Sequence, residues 1–217
     1  DFGDYVKKYG LHRFEGVLLR YLSQLYKTLD QNVPDYVKDD AVLDVVGYFR
    51  SMLERVDTSL IEEWEGLRHP ELRLEEGVED SREAHRLLAV EELRTDERKL
   101  ASRVRAEMRQ LVRALSQKDW EAAEGAVRQP DRETEQWPTE RFSEALAPFY
   151  EQFNALVFDH RARLKDTTVI VREGDKHWKI TQNLFDPDDD NLWYISAEVD
   201  LDQWHGGPLV AVSEIGS

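Results

Sequence analysis

Six residues, Asp186-Pro187-Asp188-Asp189-Asp190-Asn191, form the densest cluster of metal-capable side chains in this chain. Asp186, Asp188 and Asp190 stand at the one-three-five spacing of a calcium loop. The match then breaks: Asn191 occupies the glycine position, position twelve is Ala197, and Glu198 comes one residue late. The plainer reading is a hairpin turn whose Asp and Asn side chains satisfy nearby backbone donors, with no metal. The histidines are the next candidates. Asp159-His160 could pair a general base with its orienting carboxylate, and His177 sits beside Trp178. Both stretches are charged and read as surface, so a structural role is preferred. There is no GxSxG, no GxxxxGK(S/T) and no glycine-rich phosphate loop, so motifs assign no catalytic set.

Cations give a third constellation. Between Glu97 and Arg113 lie Arg98, Lys99, Arg103, Arg105, Arg109 and Arg113, opposed only by Glu97 and Glu107. Arg98, Arg105 and Arg109 fall near one helical face, and phosphates favour such a stripe because guanidinium forks bind them bidentately. The competing reading is a solvated face with ordinary ion pairs. Trp120, Tyr150, Trp178 and Trp193 could line a pocket, although aromatics in such a setting are more often core.

These groups need elements to hold them. Residues 11–31 and 36–65 read as amphipathic helices, the first with Phe14, Leu18, Tyr21, Leu22, Leu25 and Leu29 on its apolar stripe. The stretch 66–80, punctuated by Gly66, Pro70 and Gly77, reads as a linker, with the domain boundary placed there. Helices are expected at 81–94, about 96–115, at WEAAEGAV and at about 140–157. Pro148 could kink or divide the last of these. From Thr167 the period changes to two. TTVIVR, HWKITQN, NLWYISAEVDL and LVAVSEI read as a four-strand antiparallel meander, with Gly174 in the first turn. Helices followed by an antiparallel sheet make an α+β protein, with 1–66 helical, 67–80 linking and 81–217 forming a cone-like α+β domain.

The 217 residues are 41% hydrophobic and 34% charged, with net charge −16 and no cysteine. Disulfide and thiolate chemistry are excluded, and a cytoplasmic home is favoured. No apolar run approaches a membrane span, so no membrane partner is expected. The charge is uneven: residues 134–217 carry net −9, whereas residues 67–133 carry only −2. A polyanion contact is therefore expected on the helices rather than on the sheet. The opening DFGDYVKKYG, without Met, reads as part of a longer or processed protein.

Two stretches resemble a known family. They are YGLHRFEGVLLRYLSQLYKTLDQNVP (9–34) with VDTSLIEEWEGL (56–67), and WKITQNLFDPDDDNLWYISAEVDL (178–201). They are similar to the C-terminal region of bacterial DEAD/DEAH-box helicases of the superkiller (Ski-like) type, where a domain of unknown function follows the motor. The resemblance implies that the first helices end the helicase's helical region. The helix carrying Glu15, Gly16, Arg20 and Tyr21 would be similar to a ratchet-type segment that tracks single strands. It also implies that the remainder is a nuclear-transport-factor-2-like (SnoaL-like) cone. ATP and Mg²⁺ would belong to the parent motor, since this chain has neither a Walker A lysine nor a DExD/H box.

The expected function is thus a non-catalytic accessory region of an RNA or DNA helicase, guiding nucleic acid or docking partners, the motor domains among them. Arg20, Lys27, Arg98, Arg105 and Arg109 are the expected polyanion contacts. The alternatives are a small-molecule-binding or enzymatic cone with Trp178, Gln182 and Trp193 near its pocket, and a dimerisation module.

Overall fold

The computed structural model describes residues 2–34, 36–56, 91, 93, 95–204 and 207–217. The expected linker at 67–80, the boundary drawn there and nearly all of the expected helix 81–94 lie outside these residues. The chain separates into two compact units, Asp1–Arg103 and Val104–Ser217.

The first unit opens with α1 (Phe2–Lys8), a helix to which no sequence pattern points. It ends in a Schellman motif. Gly10, at φ +63°, donates its N–H to the Lys7 carbonyl (3.3 Å), and Leu11 donates to Val6 (2.8 Å). A 3₁₀ turn, His12–Phe14, leads into α2 (Glu15–Lys27), which runs on into a π-helical turn at Thr28–Asn32. α3 (Asp40–Val56) is capped by Asp39, whose Oδ1 accepts from Val42 N at 2.8 Å. Phe2, Val6, Tyr26, Val46, Met52 and Leu53 form the core of this unit, with Leu18, Leu22 and Leu29 of α2 and its π turn packed against it. Gly47 lets α3 approach Ser102: a Cβ there would lie 2.7 Å from Ser102 Oγ, which itself donates to the Leu43 carbonyl.

The division falls inside α4 (Glu97–Ser116). Asp96 Oδ1 caps this helix by accepting from the N–H groups of Arg98 and Lys99, both at 3.1 Å. The expected stripe of Leu100, Val104, Met108, Leu111 and Leu115 is buried throughout.

In the second unit α5 (Trp120–Gly125) starts at Asp119, whose carboxylate accepts from Ala122 N at 3.0 Å. α6 (Thr139–Gln152) runs unbroken through Pro148 and buries Phe142, Leu146 and Phe149. The sheet follows: β1 (Thr168–Arg172), β2 (His177–Asn183), β3 (Tyr194–Asp200) and β4 (Val210–Gly216), antiparallel in the order β1-β2-β3-β4. Ile170 pairs with Ile180, Ile180 with Ala197, and Ala197 with Val212. A register shift between Ser196 and Ala197 inserts one extra residue into β4. The protein is therefore α+β, helical first and sheet last, as the change of period implies.

Glu107 of α4 ties the last strand down. Its Oε2 accepts from Leu209 N (2.8 Å) and Val210 N (3.1 Å), and the Val210 carbonyl accepts from Arg128 N at 2.7 Å. Tyr150 is a second polar tie, donating its hydroxyl to the Leu115 carbonyl at 2.7 Å. Burial pushes the Tyr150 pKa up to about 12 from 10.0. The folded state thus keeps a proton that the unfolded chain releases, so this group's contribution is fully present below pH 10 and is lost as pH rises from 10 toward 12. Urea titrations across that window should show the decline, and Tyr150→Phe should make the curve flatter there.

Candidate nucleic-acid interface

α2 is apolar on two sides. Leu18, Leu22 and Tyr26 face the core of the first unit. Phe14, just before the helix, and Val17, Tyr21 and Leu25 on it step by three and four residues along another side. They are 59%, 52%, 66% and 43% exposed. A period of 3.6 residues brings them into one stripe. Arg13, Arg20 and Lys27 are all exposed and spaced by sevens, a neighbouring line of cations. Arg20 and Lys27 stand two turns apart, about 10.5 Å along the axis.

More aromatic surface belongs to the same unit. Tyr5 and Tyr9 stack at 4.7 Å with a 48° tilt, and Lys8 Nζ lies 5.5 Å from the Tyr9 ring centre. Tyr36 is 90% exposed. Single-stranded nucleic acids are held by this combination, rings that stack on bases beside cations that follow the backbone. Periodicity alone places Phe14, Tyr21 and Leu25 on the core stripe, and the structure corrects this. The available signal is the stripe's unusual width, since six apolar residues at 14, 18, 21, 22, 25 and 29 wrap further round a helix than one buried face requires.

The expected cations of α4 are arranged differently from those of α2. Arg98 is exposed, but its Nε donates to Asp40 Oδ1 (3.1 Å) and its Nη2 to the Lys38 carbonyl (2.7 Å). Arg105 is only 5% exposed and Arg109 is half-buried. Both are less accessible than Arg20 and Lys27, which are exposed on α2. The cause is that α4 is buried around most of its circumference from Ser102 to Met108, polar positions included.

The three residues expected near a pocket are inner-face residues of the sheet. Trp178 is 3% exposed, Gln182 1% and Trp193 9%. Gln182 accepts from Thr168 Oγ1 at 2.6 Å and donates to the Asn183 carbonyl at 3.0 Å, so both ends of its amide are engaged. Trp193 meets Phe149 edge-on at 5.5 Å.

The acidic turn is organised from within. Asp186 is fully buried, and its Oδ1 accepts from the N–H groups of Asp188 (2.9 Å) and Asp190 (3.2 Å). Its Oδ2 accepts from Asn191 N at 2.6 Å. Both carboxylate oxygens serve the turn, and Asp189 and Asn191 adopt left-handed φ of 62° and 50°. Among the described residues no group of three or more His, Asp or Glu could hold a metal ion. Asp159 is bound by Arg161 through the backbone N–H (2.8 Å) and Nε (3.0 Å). His177 lies 3.9 Å from Glu173 and 3.8 Å from Glu198. Among the described residues no helix is long and apolar enough to cross a membrane.

A family model for a domain of unknown function, DUF3516, matches residues 1–215. The chain belongs to the DUF3516 family. No curated protein and no solved structure matches it. The DUF3516 match takes in the helices of the first unit as well as the sheet, so the exposed stripe of α2 lies within the family's own domain.

Proposed function

We propose that this DUF3516 chain is a non-catalytic accessory region of an ATP-dependent helicase and guides single-stranded RNA or DNA along α2. The observation that carries this reading is the exposed stripe Phe14-Val17-Tyr21-Leu25 beside Arg13, Arg20 and Lys27. The resemblance of residues 9–34 and 178–201 to helicase C-terminal regions supplies the context. Binding and hydrolysis of ATP would belong to the motor domains, because this chain carries neither a Walker A lysine nor a DExD/H box to hold the nucleotide and its Mg²⁺. The packed state of Trp178, Gln182 and Trp193 favours this reading over a small-molecule cone. The nuclear-transport-factor-2-like shape of the second unit stays part of the proposal, resting on the helices-then-meander order.

Fluorescence anisotropy of a labelled single-stranded oligonucleotide at low salt tests it. The wild-type chain should bind with affinity that falls steeply as salt rises. Arg20→Glu/Lys27→Glu should weaken binding and make the salt dependence shallower, by about 0.7 in slope for each phosphate no longer neutralised. Tyr21→Ala should cost about 1–3 kcal/mol if a base stacks there. Binding that survives both changes, or no binding at low salt, would remove the assignment.

A further inference from the structure

Gly16, the second residue of α2, is exposed and has no packing role within the described residues. A glycine in a helix has more backbone freedom to lose than an alanine, so it weakens the helix. Two structural needs commonly offset that cost, and neither is present. Gly16 does not adopt the left-handed φ found at Gly10, Gly174 and Gly207. A Cβ built on it would meet nothing within 4 Å among the described residues, so no neighbouring element requires the room. Gly47 of α3 is the contrast, because a Cβ there would lie 2.7 Å from Ser102 Oγ. The place of Gly16 on the helix is specific. It stands three residues after Arg13 and four before Arg20, on the line of cations that Lys27 continues. At 3.6 residues per turn it lies about 40° round the helix from Arg20 and about 20° from Lys27, but about 140° from Tyr21 and about 180° from Leu25. The gap is therefore among the cations, and the apolar stripe is on another side.

We propose that the sugar–phosphate backbone of a bound single strand passes directly over Gly16, with the helix backbone as its floor. The inference rests on the reading of α2 as a single-strand guide. Cations fix the path of a strand through its phosphates, while rings take the bases. A strand whose phosphates follow Arg13, Arg20 and Lys27 has to cross the ground between the two arginines, and Gly16 is that ground. Glycine is the residue that lets the backbone of a ligand come so close to the backbone of a protein. The bases then turn round the helix toward Phe14 and Tyr21, both exposed. Gly16 is thus a positioning residue: it makes no polar contact of its own through a side chain, and it sets the depth at which the phosphates meet Arg13 and Arg20.

Gly16→Ala and Gly16→Leu in the full chain, with Gly125→Ala as the control, separate this role from a structural one. Gly125 ends α5 in the other unit and has equally open surroundings. Thermal unfolding followed by circular dichroism should show Gly16→Ala at least as stable as wild type, since alanine is the better helix former and restricts the unfolded chain. Anisotropy of a labelled single-stranded oligonucleotide should nevertheless show Gly16→Ala binding at least about threefold more weakly, and Gly16→Leu about tenfold or more, because each added group lifts the strand out of contact. Gly125→Ala should bind as wild type does. A variant that gains stability and loses affinity cannot owe the loss to misfolding. Gly16→Ala binding as tightly as wild type, while Arg20→Glu/Lys27→Glu is impaired, would overturn the inference and leave the reading of α2 standing. Absence of binding by the wild-type chain at low salt would remove both.

Discussion

Glu107→Ala is expected to destabilise the sheet-bearing unit by about 2–4 kcal/mol, because it strands two buried donors at once. Glu107 is 6% exposed, and its Oε2 accepts from Leu209 N and Val210 N across more than a hundred residues of chain. Truncation removes the acceptor and leaves both N–H groups without water, which costs more than the hydrogen bonds themselves contribute. Glu107→Gln keeps an amide oxygen in the same place and should recover much of the loss. Chemical denaturation of the three proteins gives the comparison. An alanine variant within about 0.5 kcal/mol of wild type, the scale of an ordinary surface substitution, would mean that β4 does not depend on this carboxylate.

Phe149→Ala should be at least as damaging, at about 3–5 kcal/mol. Phe149 is fully buried on α6 and meets Tyr150, Phe153 and Trp193 at ring-centre distances of 5.4, 5.1 and 5.5 Å. Removing the ring opens a cavity among three other aromatics, none of which can collapse into it without leaving its own rotamer. Phe149→Leu should cost less, since it keeps much of the volume. Thermal unfolding followed by tryptophan fluorescence would report the change through Trp193. A small effect would show that the α6–sheet core can repack.

The hairpin from His177 to Asp200 is legible in the sequence because each of its strands has one buried face. In β2, Trp178, Ile180 and Gln182 are buried while Lys179, Thr181 and Asn183 are exposed, the alternation that a pleat imposes. The break in the calcium-loop pattern is likewise a matter of sequence, since Asn191 and Ala197 stand where such a loop needs other residues. The burial of Asp186 is not legible, because an aspartate in a string of aspartates looks solvated until its backbone partners are known.

α4 shows where periodicity stops informing. Its apolar stripe is visible, but a stripe reports only one buried side. Arg105 lies across the helix from the stripe and is also buried, and Arg103 and Glu107 are buried beside it, Glu107 against Leu209 and Val210, about a hundred residues away in sequence. α2 shows the opposite failure. Apolar residues are assigned inward by default, yet Phe14, Tyr21 and Leu25 point out. α1 has only seven residues and too few apolar positions to reveal a period. The cavity beside Tyr26 joins Asp30 and Lys38 to Lys99 and Arg103, some sixty residues further along the chain, and no local pattern could have gathered them.

The most direct measurement is photo-crosslinking of a single strand containing 4-thiouridine to the full chain, with adducts mapped by mass spectrometry. Adducts at Tyr21 and Phe14, or at residues between Tyr5 and Tyr36, are the predicted result. Adducts confined to 168–216, or none at low salt, would contradict the account.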